Sequence, residues 1–187
     1  VSIRVKPGAK PYFGKAYKVP LAHMAALKRE LDRQCSIGAM RRLSSKESEK
    51  VLWASPCFGV PKKDFTMRLV KDLRMLNKEL VCSKHPTPTI EEILSNIAGF
   101  TYATQLDQPM AFLAMELDEE SKQYLRIITP FGIYEELVLP MGIKPASDIF
   151  QNRMLSLFID LGDNIKIYID DMLVHMNRTF EEHLSLL

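Results

Sequence analysis

The sequence predicts an α+β fold, with helices packed on an antiparallel sheet. Residues 164–169 alternate between polar and apolar side chains, which is the period of a strand whose buried side carries Ile165, Ile167 and Ile169, and an apolar run at 172–174 follows at once. Apolar side chains within residues 20–34 instead recur at helical spacing. With 187 residues and 47% hydrophobic content, the chain can bury a core as one domain or as two small lobes.

Breaks and caps place the elements of the first half of the chain. The sequence predicts an extended lead-in at 1–20, a helix at 20–34 and a polar loop or short helix at 44–50. It then predicts two strands, at 57–61 and 66–71, joined by a four-residue turn. Pro86 and Pro88 then interrupt the chain. Thr89 and Glu92 form a capping box, which predicts a helix from there to about Ile97.

The second half is predicted to contain two hairpins and two helices. A strand at 100–107 and an irregular segment precede the first hairpin, at 124–139. Pro145 begins a long helix, and the alternating hairpin follows it. A capping box of Thr179 and Glu182 opens the last helix. The long helix carries an apolar stripe made of Ile149, Phe150, Met154, Leu157 and Phe158.

Three aspartates at predicted strand ends point to chemistry. Asp170 and Asp171 occupy the tip of the last hairpin, and Asp107 ends the strand at 100–107. Two like charges at one tip repel each other, and a divalent cation is the usual reason that a fold keeps them. If the two strands are neighbours, Asp107 and Asp170 face each other and hold two Mg²⁺ ions about 3.5–4 Å apart, as in nucleotidyl transfer. The alternative is that these carboxylates cap strands and face solvent.

Composition excludes several classes of protein without selecting one. The formal net charge of +2 is too small to indicate a nucleic-acid binder, so any basic surface must be local. The three cysteines are odd in number and far apart, which argues against a disulfide framework and a zinc site and favours an intracellular protein. No apolar run approaches the roughly 20 residues of a membrane span, and the N-terminus lacks a signal-peptide pattern.

Several sequence blocks resemble one family. Tyr168-Ile169-Asp170-Asp171 is similar to the aromatic-x-Asp-Asp motif of reverse transcriptases. Further blocks resemble the enzymes of gypsy-type long-terminal-repeat retrotransposons, in that family's order and spacing: Trp53–Pro56, Val60–Asp64, Arg68–Lys78, Phe131–Glu135, Leu139–Ile143 and Pro145–Gln151. The chain is therefore identified as the fingers and palm portion of such a reverse transcriptase, an RNA-directed DNA polymerase within a retroviral-like polyprotein.

The resemblance implies a division of the chain and a set of partners. After the lead-in at 1–20, the fingers would comprise 21–85 and a hairpin at 119–140, and the palm 86–118 and 141–187. The thumb and ribonuclease H regions of the parent polyprotein would be absent. The partners would be an RNA or DNA template with its primer and deoxynucleoside triphosphates. The parent protein would work in the cytoplasm, in a virus-like particle, without a membrane.

The resemblance also implies a metal site. Asp107 and Asp170 would be the ligands that bridge two Mg²⁺ ions, with Mn²⁺ as an alternative ion. Asp171 would complete the catalytic triad with less direct contact. The main-chain carbonyl of Gln108 would add a further ligand, which any residue type can supply. Tyr168 would pack near the primer end.

Two cations would meet the incoming triphosphate. Lys62 and Arg68 fall at the family's phosphate-binding positions, where lysine acts as a mobile point charge and arginine engages two oxygens at once. For Lys63 and Lys71 we expect solvated positions on the same basic hairpin instead. Arg68 is favoured for function because it stands in the Arg-Leu-x-x-Asp block.

Four further residues would shape the sugar and base pocket. Ala111 and Phe112 follow the first aspartate, and the ring of Phe112 would pack under C2′ and exclude a 2′-hydroxyl. The alternative is that Phe112 is an ordinary core ring, which is the majority role for phenylalanine. Met141 and Gly142 would lie beside the base and sugar, since glycine lets the backbone approach closely.

Two positions near Arg68 have structural interpretations. Asp72 and Arg74 are two residues apart, so they are expected to pair with each other on one strand face. Lys71 replaces an apolar residue of the family pattern.

The segment 108–115 departs from that pattern more strongly. Gln108 replaces an apolar residue, Pro109 removes a main-chain donor, and Leu113-Ala114 replaces polar side chains. Two classes of function therefore stay open. The chain is either the catalytic fingers and palm of a polymerase, or an impaired or domesticated remnant that binds nucleic acid or protein without catalysis. The intact aspartates favour the first class, and the altered segment favours the second.

Overall fold

The structure is a computed structural model that describes residues 1–63, 66–82, 89–95, 97 and 99–187. Within them the helices α1 to α7 are Leu21–Ser36, Ser45–Ser48, Arg74–Glu79, Ile90–Ser95, Glu119–Lys122, Ala146–Leu157 and Phe180–Leu186. The strands β1 to β8 are Met40–Arg42, Ser55–Pro61, Met67–Lys71, Tyr102–Asp107, Arg126–Thr129, Gly132–Glu136, Ile165–Tyr168 and Asp171–Met176. The predicted α+β class is confirmed. Part of the predicted turn at 62–65, and both Pro86 and Pro88, lie outside the described residues.

The chain divides into two compact units. The first unit is Val1–Cys82 with Phe112–Lys144, and the second is Ser83–Ala111 with Pro145–Leu187. The assignment of particular ranges to fingers and palm stays a prediction.

The first unit is built on a five-stranded sheet in the order β1-β6-β5-β2-β3. Its strand pairs are antiparallel except for β2 with β5, where Ser55 lies opposite Ile127 in a parallel pair. This parallel pair was not predicted, because strand periodicity does not specify which distant segments pair. Helix α1 forms over the predicted residues and buries Leu27 and Leu31 in a core cluster that also contains Tyr134.

Two elements of the first unit differ from the prediction. Helix α3 was not expected, since its N-cap residue Leu73 provides no side-chain cap; it buries Leu76 instead, so tertiary packing stabilises it. The hairpin of β5 and β6 is shorter than 124–139. Thr129 pairs with Gly132, which leaves a two-residue turn.

An ion pair between two strands of the first sheet corrects the expectation for Lys71. Its Nζ lies 2.6 Å from Glu136 Oε1, and the two side chains are 16% and 3% exposed. Burial raises the pKa of the Glu136 carboxyl, and Lys71 opposes that rise. Cys57, opposite Lys71 in the sheet, is also buried, and burial raises the pKa of its thiol to about 12. Lys71 is therefore a structural counter-ion rather than a solvated charge.

The second unit is built on a three-stranded antiparallel sheet in the order β4-β8-β7. Ile165 and Ile167 are buried, as the alternation predicts. Helix α6 contacts β7 and buries Phe150 and Met154, but its apolar stripe is shorter than expected, since Leu157 is 55% exposed where the helix ends.

Both predicted capping boxes of the second unit form. The Thr89 N–H donates to Glu92 Oε2 at 2.7 Å and opens α4, which ends at Ser95. Thr179 and Glu182 cap α7 in the same way. Among the described residues, no helix is both long enough and apolar enough to cross a bilayer. All three cysteines are free thiols, as predicted.

Candidate active site

The turn between β7 and β8 is tight and strained. Tyr168 pairs with Asp171, which leaves only Ile169 and Asp170 between the strands. Ile169 has a φ of 56°, and a positive φ at the first turn position alone marks a type II′ turn, where glycine is usual. For a β-branched residue such a conformation costs about 1–3 kcal/mol. The prediction that Ile169 continues the buried strand face is therefore wrong.

The register of the same sheet brings the three aspartates to one end. Asp107, the last residue of β4, lies opposite Asp171, the first residue of β8. Asp170 lies in the turn, and its carbonyl oxygen accepts a hydrogen bond from the Gln108 N–H at 3.2 Å. Asp107 was expected to face Asp170, and that expectation is wrong by one residue. The reason is that tertiary contacts set the register between two distant strands.

The donor atoms at this end suit a hard divalent cation. Asp107 and Asp171 are exposed and Asp170 is half-buried, so these carboxylates remain accessible to solvent. Carboxylate and carbonyl oxygens, including that of Gln108, are the ligands that Mg²⁺ prefers. One carboxylate oxygen, Asp171 Oδ1, accepts a hydrogen bond from Gln105 Nε2 at 3.2 Å. Across the part of the chain that the structure describes, no three His, Cys, Asp or Glu side chains converge as a ready metal-binding group.

A cleft of about 240 Å³ opens beside the hairpin, within the second unit. It is lined by Ile90, Ile93, Gln105, Lys166, Tyr168, Asp171 and Leu173. Tyr168 and Asp171 therefore border an open space on the sheet. The predicted position of Tyr168 near a primer end stays a prediction.

In the first unit, the predicted phosphate-binding cations lie on the hairpin of β2 and β3. Arg68 pairs with Val60, and the Lys62 N–H donates to the Thr66 carbonyl at 2.8 Å. The side chains of Lys62 and Arg68 are exposed, and Lys63 is exposed as expected. The hairpin thus presents its positive charges to solvent.

The predicted pairing of Asp72 with Arg74 is confirmed, although not on a strand face, because β3 ends at Lys71 and Arg74 begins α3. Arg74 Nε and Nη2 each donate to one Asp72 carboxylate oxygen at 2.8 Å. The hydroxyl of Tyr17 adds a third hydrogen bond to Asp72, at 2.7 Å. Arg74 first and Tyr17 second hold the pKa of the Asp72 carboxyl well below its usual range. This network ties the N-terminal lead-in to the end of β3.

The loop that carries Met141 and Gly142 is held by an asparagine that the sequence analysis did not single out. Asn77 Nδ2 donates to the Gly142 carbonyl at 2.9 Å, and the Lys144 N–H donates to Asn77 Oδ1 at 2.8 Å. Gly142 has a φ of 96°, which favours glycine. The feature of the sequence that could have pointed to Asn77 is its position inside the block at 68–78.

Replacing Asn77 by leucine is expected to release this loop, because both of its hydrogen bonds to the backbone are lost. We expect exchange of the Lys144 amide hydrogen to accelerate and the free energy of unfolding to fall by about 1–3 kcal/mol. Asn77→Asp is the matched control, since it keeps the acceptor for Lys144 and loses only the donor to Gly142. Equal protection of the Lys144 amide in all three proteins, measured by hydrogen exchange, would contradict this role.

The altered segment after Asp107 folds into a 3₁₀ helix, Ala111–Ala114. Ala111 and Phe112 are both buried, at 3% and 8% exposure. Just before them, Met110 has a φ of 55°, which is unusual for a residue other than glycine. Burial suits Phe112 as a core ring and leaves its predicted role toward the sugar untested.

The family model for reverse transcriptase (RNA-dependent DNA polymerase) matches residues 60–187 of this chain. The chain belongs to the reverse transcriptase family. This reverse transcriptase chain is 31% identical over 170 residues to the transposon Tf2-3 polyprotein of Schizosaccharomyces pombe, covering 90% of this chain and 12% of the polyprotein. It is 32% identical over 187 residues to the uncharacterized protein K02A2.6 of Caenorhabditis elegans, covering 98% and 14%. The chain thus spans only 12–14% of the length of these relatives.

Solved structures of reverse transcriptases share the fold of this chain. The prototype foamy virus protease-reverse transcriptase superposes with a TM-score of 0.79 at 22% identity, over 95% of this chain and 23% of the viral chain. A foamy viral protease-reverse transcriptase in complex with double-stranded DNA gives a TM-score of 0.78 at 20% identity, over 94% and 30%. The predicted fingers–palm fold of this reverse transcriptase chain is therefore confirmed.

Proposed function

We propose that this chain is the catalytic fingers and palm portion of an RNA-directed DNA polymerase. It would add deoxynucleotides to the 3′-hydroxyl of a primer paired with an RNA or DNA template. The observation that carries this proposal is the register that sets Asp107 opposite Asp171, with Asp170 in the adjoining turn. Family membership supports it independently.

The aspartates would hold divalent metal ions, as in the family at large. We propose Mg²⁺ as the ion, with Mn²⁺ as an alternative, because the donors are hard oxygen atoms. When bound, two such ions supply activation of the primer hydroxyl and neutralise charge on the pyrophosphate. Asp107, Asp170 and Asp171 would bind them, with the Gln108 carbonyl as a further ligand. The bound cations would then offset the mutual repulsion of these three carboxylates.

The other predicted residues would bind and select the nucleotide. Lys62 and Arg68 would bind the triphosphate through charge-assisted hydrogen bonds. Phe112, with Ala111 before it, would favour deoxynucleotides by excluding a 2′-hydroxyl. The loop of Met141 and Gly142 would approach the base and sugar, and Tyr168 would support the primer end.

Single-nucleotide primer extension tests the polymerase proposal. The chain, and a longer version of it from the same polyprotein, would be given a labelled primer on an RNA template with Mg²⁺ and one deoxynucleotide at a time. We expect addition of the matched nucleotide only, and complete loss of addition when a chelator removes the metal, because the carboxylates alone cannot neutralise the phosphates.

Failure of both versions to extend the primer would contradict the proposal. Extension that persists in excess chelator would contradict the metal-dependent mechanism specifically. Extension by the longer version alone would keep the proposal for the parent protein and exclude autonomous activity of this chain.

A second candidate is a nucleic-acid-binding or interaction module without catalysis. It is favoured by the altered segment, where Met110 is strained and Gln108 Oε1 is buried without a hydrogen-bond partner among the described residues. A nucleotide pocket distorted by this segment would prevent catalysis and leave binding of the nucleic acid intact. Retention of labelled primer–template at low salt, together with no extension, would support this candidate. We propose the cytoplasm, within particles formed by the parent polyprotein, as the site of action in either case.

A further inference from the structure

The side-chain amide of Gln151 contacts the candidate catalytic hairpin at two points. Gln151 lies on α6 and is 2% exposed. Its Nε2 donates to the Ile167 carbonyl at 2.8 Å, and its Oε1 accepts from the Ile169 N–H at 2.6 Å. Both hydrogen-bonding ends of the amide are therefore used. One partner lies in the strand before the turn, and the other is the first residue of the turn itself.

These two backbone groups need a partner because of their place in the sheet. β7 is an edge strand in the order β4-β8-β7, so within the part of the chain that the structure describes no strand pairs with its other side. The carbonyl of one residue and the N–H two residues later point to the same side of a strand, and a neighbouring strand would satisfy them with one N–H donor and one carbonyl acceptor. The Gln151 amide supplies the same donor and acceptor. At these two groups the amide takes the place of a neighbouring strand.

The same contact restrains the strained residue of the turn. Ile169 holds a φ of 56° although it is β-branched, and nothing in its own side chain favours that conformation. The Gln151 amide fixes the carbonyl of Ile167 before the turn and the N–H of Ile169 within it. Relaxation of Ile169 to a negative φ would redirect Asp170 and, through it, the start of β8 at Asp171.

We propose that Gln151 is a positioning residue, which holds the strained Ile169 turn so that Asp170 and Asp171 stand where catalysis needs them. The catalytic part of this statement rests on the proposed polymerase function. Only an amide of this length can act in this way. Glutamate keeps the acceptor for Ile169 and loses the donor to Ile167, and methionine has neither group although its size is similar.

Hydrogen exchange tests the positioning without any need for activity. We expect the Ile169 amide hydrogen to exchange at least about fivefold faster in Gln151→Met than in the native chain, because one protecting hydrogen bond is lost. Asn152→Met, an exposed change on the same helix, is the matched control and should leave that amide unchanged. Gln151→Glu should give an intermediate rate. Equal exchange of the Ile169 amide in the native chain and in Gln151→Met would overturn the proposal.

A rescue experiment then tests the catalytic consequence, with whichever version of the chain extends primers. Gln151→Met should lower kcat for single-nucleotide addition about 10–100-fold, because small displacements of reacting groups have effects of that size. The KM for the deoxynucleotide should stay within about twofold, since the side-chain amide of Gln151 uses its donor and its acceptor on the hairpin backbone, at Ile167 and Ile169. Adding Ile169→Gly should restore much of kcat, because glycine adopts a positive φ without strain.

Ile169→Val is the control for that rescue, since valine is β-branched like isoleucine and should restore nothing. Equal rescue by glycine and valine, or no rescue by glycine, would overturn the link between turn strain and kcat. If no version of the chain extends primers, the polymerase proposal fails on its own. The exchange of the Ile169 amide still decides whether Gln151 holds the turn.

Discussion

Asparagine in place of Asp107 or Asp170 is expected to lower the rate of nucleotide addition by about three orders of magnitude. The reason is that each carboxylate would supply charge to a metal ion under the proposed function, and metal stabilisation of a phosphoryl transition state is worth several kcal/mol, at about 1.4 kcal/mol per tenfold in rate. Asparagine keeps the shape of the side chain and removes only its charge. Single-nucleotide primer extension in Mg²⁺ measures the effect.

The ranking of the three aspartates carries additional information. The family resemblance makes Asp107 and Asp170 the bridging pair, with a smaller role for Asp171. The register of the sheet instead sets Asp107 opposite Asp171. A smaller loss of rate for Asp171→Asn than for Asp170→Asn would support the assignment from the resemblance. The reverse order would show that the cross-strand pair holds the metal.

A stability measurement separates this effect from misfolding. Asp107 and Asp171 are like charges on paired residues, and such pairs are destabilising, so removing one charge is not expected to lower the melting temperature. Asp160→Asn, an exposed change elsewhere in the second unit, is the matched control and should leave extension unchanged. Full activity of Asp107→Asn or Asp170→Asn would contradict the proposed catalytic role.

Lys71→Met is expected to lower the free energy of unfolding by about 3–5 kcal/mol, because it leaves the buried Glu136 carboxylate without its cation. That is a large share of the roughly 5–15 kcal/mol that holds a domain folded. The double variant Lys71→Met with Glu136→Met should recover most of the loss, since two apolar side chains need no compensation. Urea unfolding of the native chain, Lys71→Met, Glu136→Met and the double variant completes a double-mutant cycle and gives the coupling energy of the pair.

The pH dependence of Lys71→Met has a defined sign. Burial raises the pKa of folded Glu136 above its ordinary 4.5, so this group contributes stability below that pH and loses it as the pH rises through the folded-state pKa. Removing Lys71 raises the pKa further. The deficit of the variant relative to the native chain should therefore be largest near neutral pH and shrink on acidification toward about pH 4.5.

Lys63→Met is the control for this series, because Lys63 is an exposed lysine near the same hairpin. Its effect on stability should stay within about 0.5 kcal/mol, as for most surface substitutions. Unchanged stability of Lys71→Met at neutral pH would show that the pair contributes nothing. A deficit that grows on acidification would show that another group is responsible.

Local chemistry explains which elements were predictable. The capping boxes at Thr89 and Thr179 formed as expected, because the donors and acceptors that close such a box lie three residues apart. The buried face of β7 was equally predictable from its alternation. The N-cap residue of helix α3, Leu73, provides no side-chain cap, and the helix was missed, since burial of Leu76 stabilises it from outside its own sequence.

In the predicted site, too, local features were predictable and long-range contacts were not. Sequence blocks identified Asp107, Asp170 and Asp171 as candidates, and the sheet does bring all three to one end. The partner of Asp107 was wrong by one residue. The amides of Asn77 and Gln151 lay inside recognised blocks, yet their hydrogen bonds to Gly142 and Ile169 became visible only in the fold.

The sequence by itself determined the family, the α+β class, the caps and the three acidic residues, because these depend on residue identity and on spacing over a few positions. The tertiary structure alone decided the β4–β8 register, the strain at Ile169 and the pairing of Lys71 with Glu136. Those features join residues that are far apart in the chain or depend on burial. Their energies come from which groups are desolvated together, and no local pattern of residues specifies that.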